Sequence, residues 1–430
     1  MIQRYIPTEE DFVHFVWMNQ YFNKEKLEHT HGESVQIIHP GYRNIDSGPD
    51  FNESRIKINN IEWRGQVEIH IKSSDWYQHN HHFDKSYDSV ILHVVWIHDR
   101  TVKRTDGSEI PTIELENRVN PKLINNFKGL NNLLTIPCEN QLHEISAVIK
   151  QSMIEYAAVE RIEKKMNDVS KLMISTLNNW DIIALRLLLS TLGFNKNSQP
   201  FQILGRTIPW NKWPTLSLFQ KEALLFGQAG FLNKVIDPYS ERLKKEYLFL
   251  KYKWNLNSPL ELHQWKFMRM RPAQFPTVRI AQFCAITNKE PSLFKTIIHS
   301  TNLMELYKKF KTNASDYWIH HYHFFKFSPS TVGKIGKQSL EKIVINFVVP
   351  LLFGYSNYID DDKYKIQAIG LLENLSAEHN KITKQWKSLG MAAKNGFDSQ
   401  GLLQLYNHYC NNHFCLNCKI GKNLIINQLN

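Results

Sequence analysis

Asp50, Glu68, His70 and Lys72 are residues whose types and spacing could do chemistry, and one segment, GPDFNESRIKINNIEWRGQVEIHIKSSDW at residues 48–76, holds all four. Asp50 follows Gly48-Pro49 at the start of one alternating run, and Glu68, His70 and Lys72 alternate along the next. Side chains on a strand switch faces at every residue, so these three share one face while Val67, Ile69 and Ile71 share the other. In water, such a face is an ordinary charged hairpin surface. Beside Asp50 on a paired strand, it becomes a two-carboxylate site for Mg²⁺ or Mn²⁺ with a basic group next to it. Carboxylate oxygens hold such a cation. The cation polarises a phosphoryl oxygen and lowers the pKa of a bound water, and a neighbouring Lys or His positions that water or offsets developing charge. The pattern points at hydrolysis of phosphodiesters.

A histidine-rich stretch follows, Trp76-Tyr-Gln-His79-Asn-His81-His82-Phe-Asp84, then Tyr87. It invites comparison with the H-x-H-x-D-H motif of zinc hydrolases, but Asp84 comes three residues after His81 and no His follows it. His79 and His81 read as polar helix-start residues or as phosphate contacts beside the site. A zinc hydrolase built on His79, His81 and Asp84 is the alternative. His93, in LHVVW, reads as a core or site-edge histidine.

The elements that must position these residues change character near residue 140. Before it, short period-two runs (35–38, 55–58, 61–72, 90–97, 110–115) are punctuated by turns at His39-Pro-Gly41, Asn59-Asn60 and Thr105-Asp-Gly-Ser108, which reads as a sheet of four or five strands. Residues 9–30 have helical spacing, and the polar stretch 73–89 is expected to hold a crossing helix. After 144 the period is helical. A long amphipathic run covers 144–177, an almost wholly apolar helix covers 180–192, and further helices are expected at 216–229, 239–253, 259–270, 276–287, 300–311, 338–353, 363–377 and 399–410. The expectation is an α+β fold: an N-terminal α/β core on a mixed sheet (1–140), then a larger all-helical domain (141–430).

Asp50 opening one strand of a hairpin and Glu68-Ile69-His70 on its partner resemble the core of PD-(D/E)xK nucleases, whose order of strand, turn, strand, helix and apolar strand this region shares. That resemblance implies a restriction-endonuclease-like fold and Mg²⁺-dependent cleavage of DNA. The departure is His70 where the motif has Lys. Either His70 takes that role, or Lys72 reaches in, or the site is inactive and the protein is a DNA-binding scaffold. Many such nucleases also carry a helix-borne glutamate; Glu10, Glu25, Glu28 and Glu33 are all open. Over most of the chain, the phrases GPDF, VEIHIKSSDW, H-x-H-x-x-D-x-x-Y and VILHVV, with Arg269-Met-Arg271-Pro-x-x-Phe-Pro-x-x-Arg279 and Cys410…Cys415-x-x-Cys418, resemble an uncharacterised bacterial family, DUF2851.

Composition bounds the rest. Fifty-two Lys and Arg against 41 Asp and Glu give the 430 residues a net charge of +11, which favours a polyanionic partner, nucleic acid or an anionic membrane face, or equally a solubilising surface. The N-terminus carries acids early and has no apolar signal core. No segment reads as the roughly 18 apolar residues of a membrane span, the longest, 345–355, being interrupted by Asn346 and Pro350. Five cysteines are too few for a secreted disulfide scaffold, so a cytoplasmic location is expected. Cys410, Cys415 and Cys418 form a compact soft-ligand group for zinc or an iron–sulfur cluster, or are buried thiols. Cys138 and His413 are the candidate fourth ligands, and Cys284 reads as core. Arg269, Arg271 and Arg279 around Pro272 and Pro276 are candidates to grip phosphates, or to clamp a carboxylate such as Glu261 between helices.

Overall fold

The computed structural model describes residues 9–44, 46–130, 134–234, 237–331 and 333–426. The chain forms two compact units, Met1–Met153 with Tyr406–Asn430, and Ile154–Leu405. The division thus lies beyond the expected joint at 140. The C-terminal cysteines, expected in the helical domain, belong to the unit that holds the sheet.

The first unit is built on a six-stranded mixed sheet with the order β1 (Val35–His39), β3 (Phe51–Ile58), β4 (Ile61–Lys72), β5 (Val90–Ile97), β6 (Thr112–Glu114), and with β2 (Tyr42–Arg43) also paired to β3. β3 and β4 form an antiparallel hairpin that closes at Ile58↔Ile61. Its turn is Asn59-Asn60, both with positive φ (45° and 70°), the geometry that suits a right-twisted two-residue hairpin and that Asn tolerates. β4 and β5 are parallel, with Glu68 opposite His93 and His70 opposite Val95, and β5 and β6 are parallel too. β5 is buried almost throughout, as a central parallel strand of Val, Ile and Leu should be.

Helix α1 (Glu10–Asn19) opens with two acids at its positive end and ends at Gln20 in the left-handed conformation. Phe12, Val13, Phe15, Val16 and Trp17 bury it. Its Phe12 ring stacks on Phe127 at 4.6 Å and lies 5.8 Å from Trp96 of β5. The helical reading of residues 9–30 is therefore correct only for its first half. Instead of one crossing helix, 73–89 holds a four-residue helix (Asp75–Gln78) and two 3₁₀ turns.

The second unit is mostly helical, with one two-stranded ribbon, His321–His323 with Lys326–Phe327. Helices Phe194–Thr207, Leu293–His299 and Lys381–Ser388 add to those the periodicity points to. The helix expected over 259–270 is instead a 3₁₀ turn at Leu262–Gln264 and irregular chain up to Arg269 at φ 56°. The segment Lys337–Ile359 corrects the reading of the apolar stretch. It is one 23-residue helix, long and apolar enough to cross a membrane by length and composition, and 67% of its apolar window is buried inside the molecule, as in a core helix. A π-helical turn at Val344–Val348 precedes Pro350, accommodating a residue that has no N–H to give.

Candidate functional site

The register of the hairpin brings the acidic residues together. Phe51 pairs with Val67, so Asp50 and Glu68 stand next to each other at one end of the antiparallel pair. The backbone N–H of Asp50 donates to Glu68 Oε2 at 3.1 Å, and Asp50 Oδ2 accepts from Ile69 N at 3.0 Å. Gly48 reaches this loop with φ 104°, a conformation that costs glycine little. Asn44 then ties the loop down, its Nδ2 donating to Pro49 O at 3.0 Å. Glu68 and His70 are buried, so this part of the charged face of β4 does not look into water.

His70 is the hub. Its Nδ1 lies 2.8 Å from His93 Nε2, and its Nε2 lies 3.1 Å from His79 Nδ1 and 3.6 Å from Glu68 Oε1. A hydrogen on Nδ1, donated to His93, leaves Nε2 a lone pair facing His79 and Glu68. His81 Nε2 stands 3.3 Å from the same Glu68 Oε1 and, among the described residues, is buried without a hydrogen-bond partner. Among the described residues, His70, His79 and His81 offer ligand nitrogens that all lie within 4.8 Å of one another. Asn80, at φ 62°, turns the chain between His79 and His81 so that both rings converge. Tyr87 stacks on His81 at 3.8 Å, and Trp76 stands edge-on to His81 at 5.3 Å. Both therefore fix the ring's plane. His79 is the exposed member of the three.

Burial decides the protonation. It keeps His70 neutral, helped by the neighbouring histidines His93, His81 and His79, and it holds His93 down at about 3. His81 is likewise lowered by burial, against the pull of Asp50. The Glu68 carboxyl is held well above the usual carboxylate range, first by burial and then by the charge of Asp50. Neutral imidazoles crowded around a carboxylate that resists ionisation make a donor set that a cation would relieve. Three nitrogens with two carboxylates suit Mn²⁺, Zn²⁺ or Fe²⁺ better than Mg²⁺, which prefers oxygen.

Helix α1 supplies two residues that sequence reasoning did not assign. Glu10 lies close enough to Asp50 and His79 to feel their charges, and its carboxyl is raised, by burial first. Of the four glutamates left open, it is the one with a place at the site. His14, one turn on, has Nε2 3.1 Å from Asp50 Oδ2. Burial opposes its charge, but contacts with Asp11 and Asp50 hold it protonated up to about 9. The i, i+4 spacing of Glu10 and His14 puts both on one helix face. That spacing was the available signal, hidden because Phe12, Phe15 and Val16 dominate the pattern of the helix.

The remaining expected residues fall elsewhere. Lys72 shares the face of Glu68 and His70 but is exposed at the strand end, where its backbone N–H donates to Asp75 Oδ2. Asp84 is turned to its own loop, capping Ser86, so the zinc set of His79, His81 and Asp84 is not assembled; Glu68 and His70 take the place of Asp84. Arg279 is buried, donates to Gln282 Oε1 at 2.8 Å and Ser339 Oγ at 3.1 Å, and lies over the Phe194 ring. It therefore cannot grip a phosphate, and its partners are neutral, not Glu261. Arg269 and Arg271 are exposed. Arg269 lines a cavity of about 310 Å³ with Arg161, Lys165, Lys196 and Lys342.

An α+β chain with a buried histidine–carboxylate cluster at the end of a hairpin is thus the class that fold and site define. The chain belongs to the family described as "Protein of unknown function (DUF2851)", whose model matches residues 10–381. No curated protein and no solved structure matches it.

Proposed function

We propose that this protein is a divalent-metal-dependent phosphodiesterase acting on DNA, with a nuclease-like core. The observation that supports it most is that Asp50, just ahead of β3, donates its backbone N–H to Glu68 Oε2 of β4 at 3.1 Å, beside three histidine nitrogens within 4.8 Å of one another. Asp50, Glu68, His70, His79 and His81 would hold the cation. When bound, it would supply Lewis-acid polarisation of the phosphoryl group and a more acidic water. The protein's own part is positioning. His93 fixes the His70 tautomer, a partner of the kind that tunes ligating histidines. Tyr87 and Trp76 fix His81, and Ile69 N–H and His14 fix Asp50. Arg43, whose Nη2 donates to Asp11 at 2.6 Å and lies 3.4 Å from His14 Nδ1, brings a permanent positive charge beside the site, where a phosphate would approach. Exposed His79 stands at the mouth. The order α1, hairpin, parallel strand supports a restriction-endonuclease-like core, and the net charge of +11 supports a polyanionic substrate.

The test incubates the full chain with linear, nicked and single-stranded DNA and Mn²⁺, Zn²⁺ or Mg²⁺. Cleavage is expected with Mn²⁺ or Zn²⁺ in preference to Mg²⁺, and to be lost in Asp50→Ala and Glu68→Ala. Cleavage that survives in both variants would remove the site. Metal-dependent DNA binding without cleavage in the unaltered protein would favour the scaffold reading, which keeps the fold and lacks the motif lysine.

A further inference from the structure

The cavity that Arg269 lines lies wholly within the second unit, and four of that unit's segments deliver cations to it. Arg161 and Lys165 stand one turn apart on helix Ala147–Thr176, Lys196 comes from Phe194–Thr207, Lys342 from Lys337–Ile359, and Arg269 from the irregular chain after Leu262–Gln264. Among the described residues that line it, Glu378 is the one carboxylate. Five cations therefore face a single negative charge.

They gather without being neutralised. Arg161 Nε and Lys165 Nζ both donate to Gln400 Oε1, each at 2.9 Å, so two positive groups share one neutral acceptor. Like charges one helical turn apart repel. Glu378 is near enough to favour both charges, but its Oε1 accepts instead from Gln400 Nε2 at 2.9 Å. Gln400, on helix Gly396–Gln404, is buried, so this arrangement is fixed by packing. Burial first, then the charge of Arg161, lowers Lys165 to about 7 against the pull of Glu378. Lys196 Nζ donates to Arg269 O at 3.1 Å. Asn197 donates to Lys266 O at 2.9 Å and accepts from Lys266 N at 2.8 Å, which pins the chain leading to Arg269 onto helix Phe194–Thr207. Lys342 Nζ stands 5.4 Å from the centre of the Phe194 ring. Among the described residues none of the five cations makes an ion pair. Positive groups held in place by neutral partners are preorganised for an anion.

A second cavity, of about 240 Å³, shares Lys165 and Phe194 with the first and is lined by Ser190, Gln202 and Asp168. Beside the cationic end it offers a hydroxyl, an amide and a carboxylate, the groups that hydrogen-bond a sugar. We propose that the two cavities bind a phosphate monoester, with its phosphate among Arg161, Lys165, Lys196, Arg269 and Lys342 and its sugar in the adjoining space. A multiply charged oxyanion answers five cations better than a single carboxylate does, and the arginine fork matches phosphate oxygens. A free nucleotide and the 5′-phosphorylated end of a DNA strand both present this chemistry. The site shares no residue with the histidine cluster and calls for no metal, so it stands or falls independently of the phosphodiesterase reading.

The test is calorimetric titration of the chelator-treated full chain in phosphate-free buffer. The probes are inorganic phosphate, thymidine, thymidine 5′-monophosphate, and a short oligonucleotide with and without its 5′-phosphate. A single thymidine monophosphate is expected to bind each chain, more tightly than phosphate, while thymidine does not bind. Tighter binding of the phosphorylated oligonucleotide, lost with its phosphate, assigns the site to strand ends; no difference between the two oligonucleotides assigns it to free nucleotides. Lys165→Gln and Lys342→Gln should each weaken monophosphate binding at least about tenfold, as the loss of one charge-assisted contact does. Lys245→Gln, which removes an exposed cation elsewhere in the unit, and Glu68→Ala should keep it. Because Lys165→Gln can fail to fold, Lys342→Gln, at an exposed position, carries the same test. No saturable binding of the monophosphate, thymidine binding as well as its phosphate, unchanged affinity in both lysine variants, or an equal loss in Lys245→Gln would overturn the proposal.

Discussion

At the residue scale, His70 carries more of the site than its place in a three-residue motif suggests. A lysine there would be a cation; a buried imidazole held neutral has a lone pair to offer, the role proposed for it. This distinction separates the alternatives left open by the sequence. Lys72→Ala is expected to change DNA cleavage by less than about threefold, because the side chain is exposed away from the carboxylates. His93→Leu, which removes the partner 2.8 Å from His70 Nδ1, should weaken divalent-metal binding by about 10–100-fold, the usual cost of losing such an orienting contact. Titrating Mn²⁺ into each variant and following cleavage checks both; a Lys72 variant as inactive as Glu68→Ala would contradict the assignment. The sequence showed Asp50, Glu68 and His70 because strand alternation is read locally. It left Glu10 as one of four candidates and hid His14, since bringing a helix onto a strand some 50 residues away is a tertiary event that periodicity does not record.

At the scale of elements, the hairpin was legible because Asn59-Asn60 and the period-two runs on either side of it specify both turn and register. The loop 73–89 was not. Its polar composition signals only that it is no strand. Its form comes from contacts at a distance: Trp76 Nε1 donates to Lys103 O at 3.0 Å, and Asp99 accepts from Ser73 Oγ and Ser74 N. Helix α1 depends on its apolar face, and Phe12→Ala is expected to cost about 3–5 kcal/mol, read as a lowered midpoint in urea; a loss under about 1 kcal/mol would mean that the stack on Phe127 and the contact with Trp96 matter little. In the helical unit, Glu222 on helix Leu218–Gln228 is fully buried, with its carboxyl pushed up to about 7 by burial against the pull of Tyr239 and Ser315. The folded-state value lies above the ordinary 4.5, so the folded form binds the extra proton between them. Its stabilising contribution is full below about 4.5 and is lost as the pH rises through about 7. Glu222→Gln should therefore gain on the order of 2 kcal/mol over the wild type between pH 5 and 8, measured as the difference in midpoints. Equal slopes with pH would count against a neutral Glu222.

For the whole molecule, composition indicated two compact parts and a basic surface, and the chain has two units. The return of Tyr406–Asn430 to the first unit was not readable from patterning. It depends on the C-terminal helix packing back, with Asn126 Nδ2 donating to Ile425 O, and such a long-range contact leaves no periodic trace. The charge of +11 makes a global prediction. Binding to DNA should weaken at least about tenfold between roughly 50 and 200 mM salt, as counterion release requires, and a salt-independent affinity would argue against a polyanionic partner. The central claim, however, is the histidine–carboxylate cation site, and Mn²⁺ binding tests it most directly. Mn²⁺ is little drawn to thiolates, so it reports on this site rather than on the cysteines. Titrated by electron paramagnetic resonance into the chelator-stripped full chain, about one Mn²⁺ is expected to bind, with affinity falling at least about tenfold in Glu68→Gln and in His81→Ala; the same affinity in both variants as in the wild type would contradict the account.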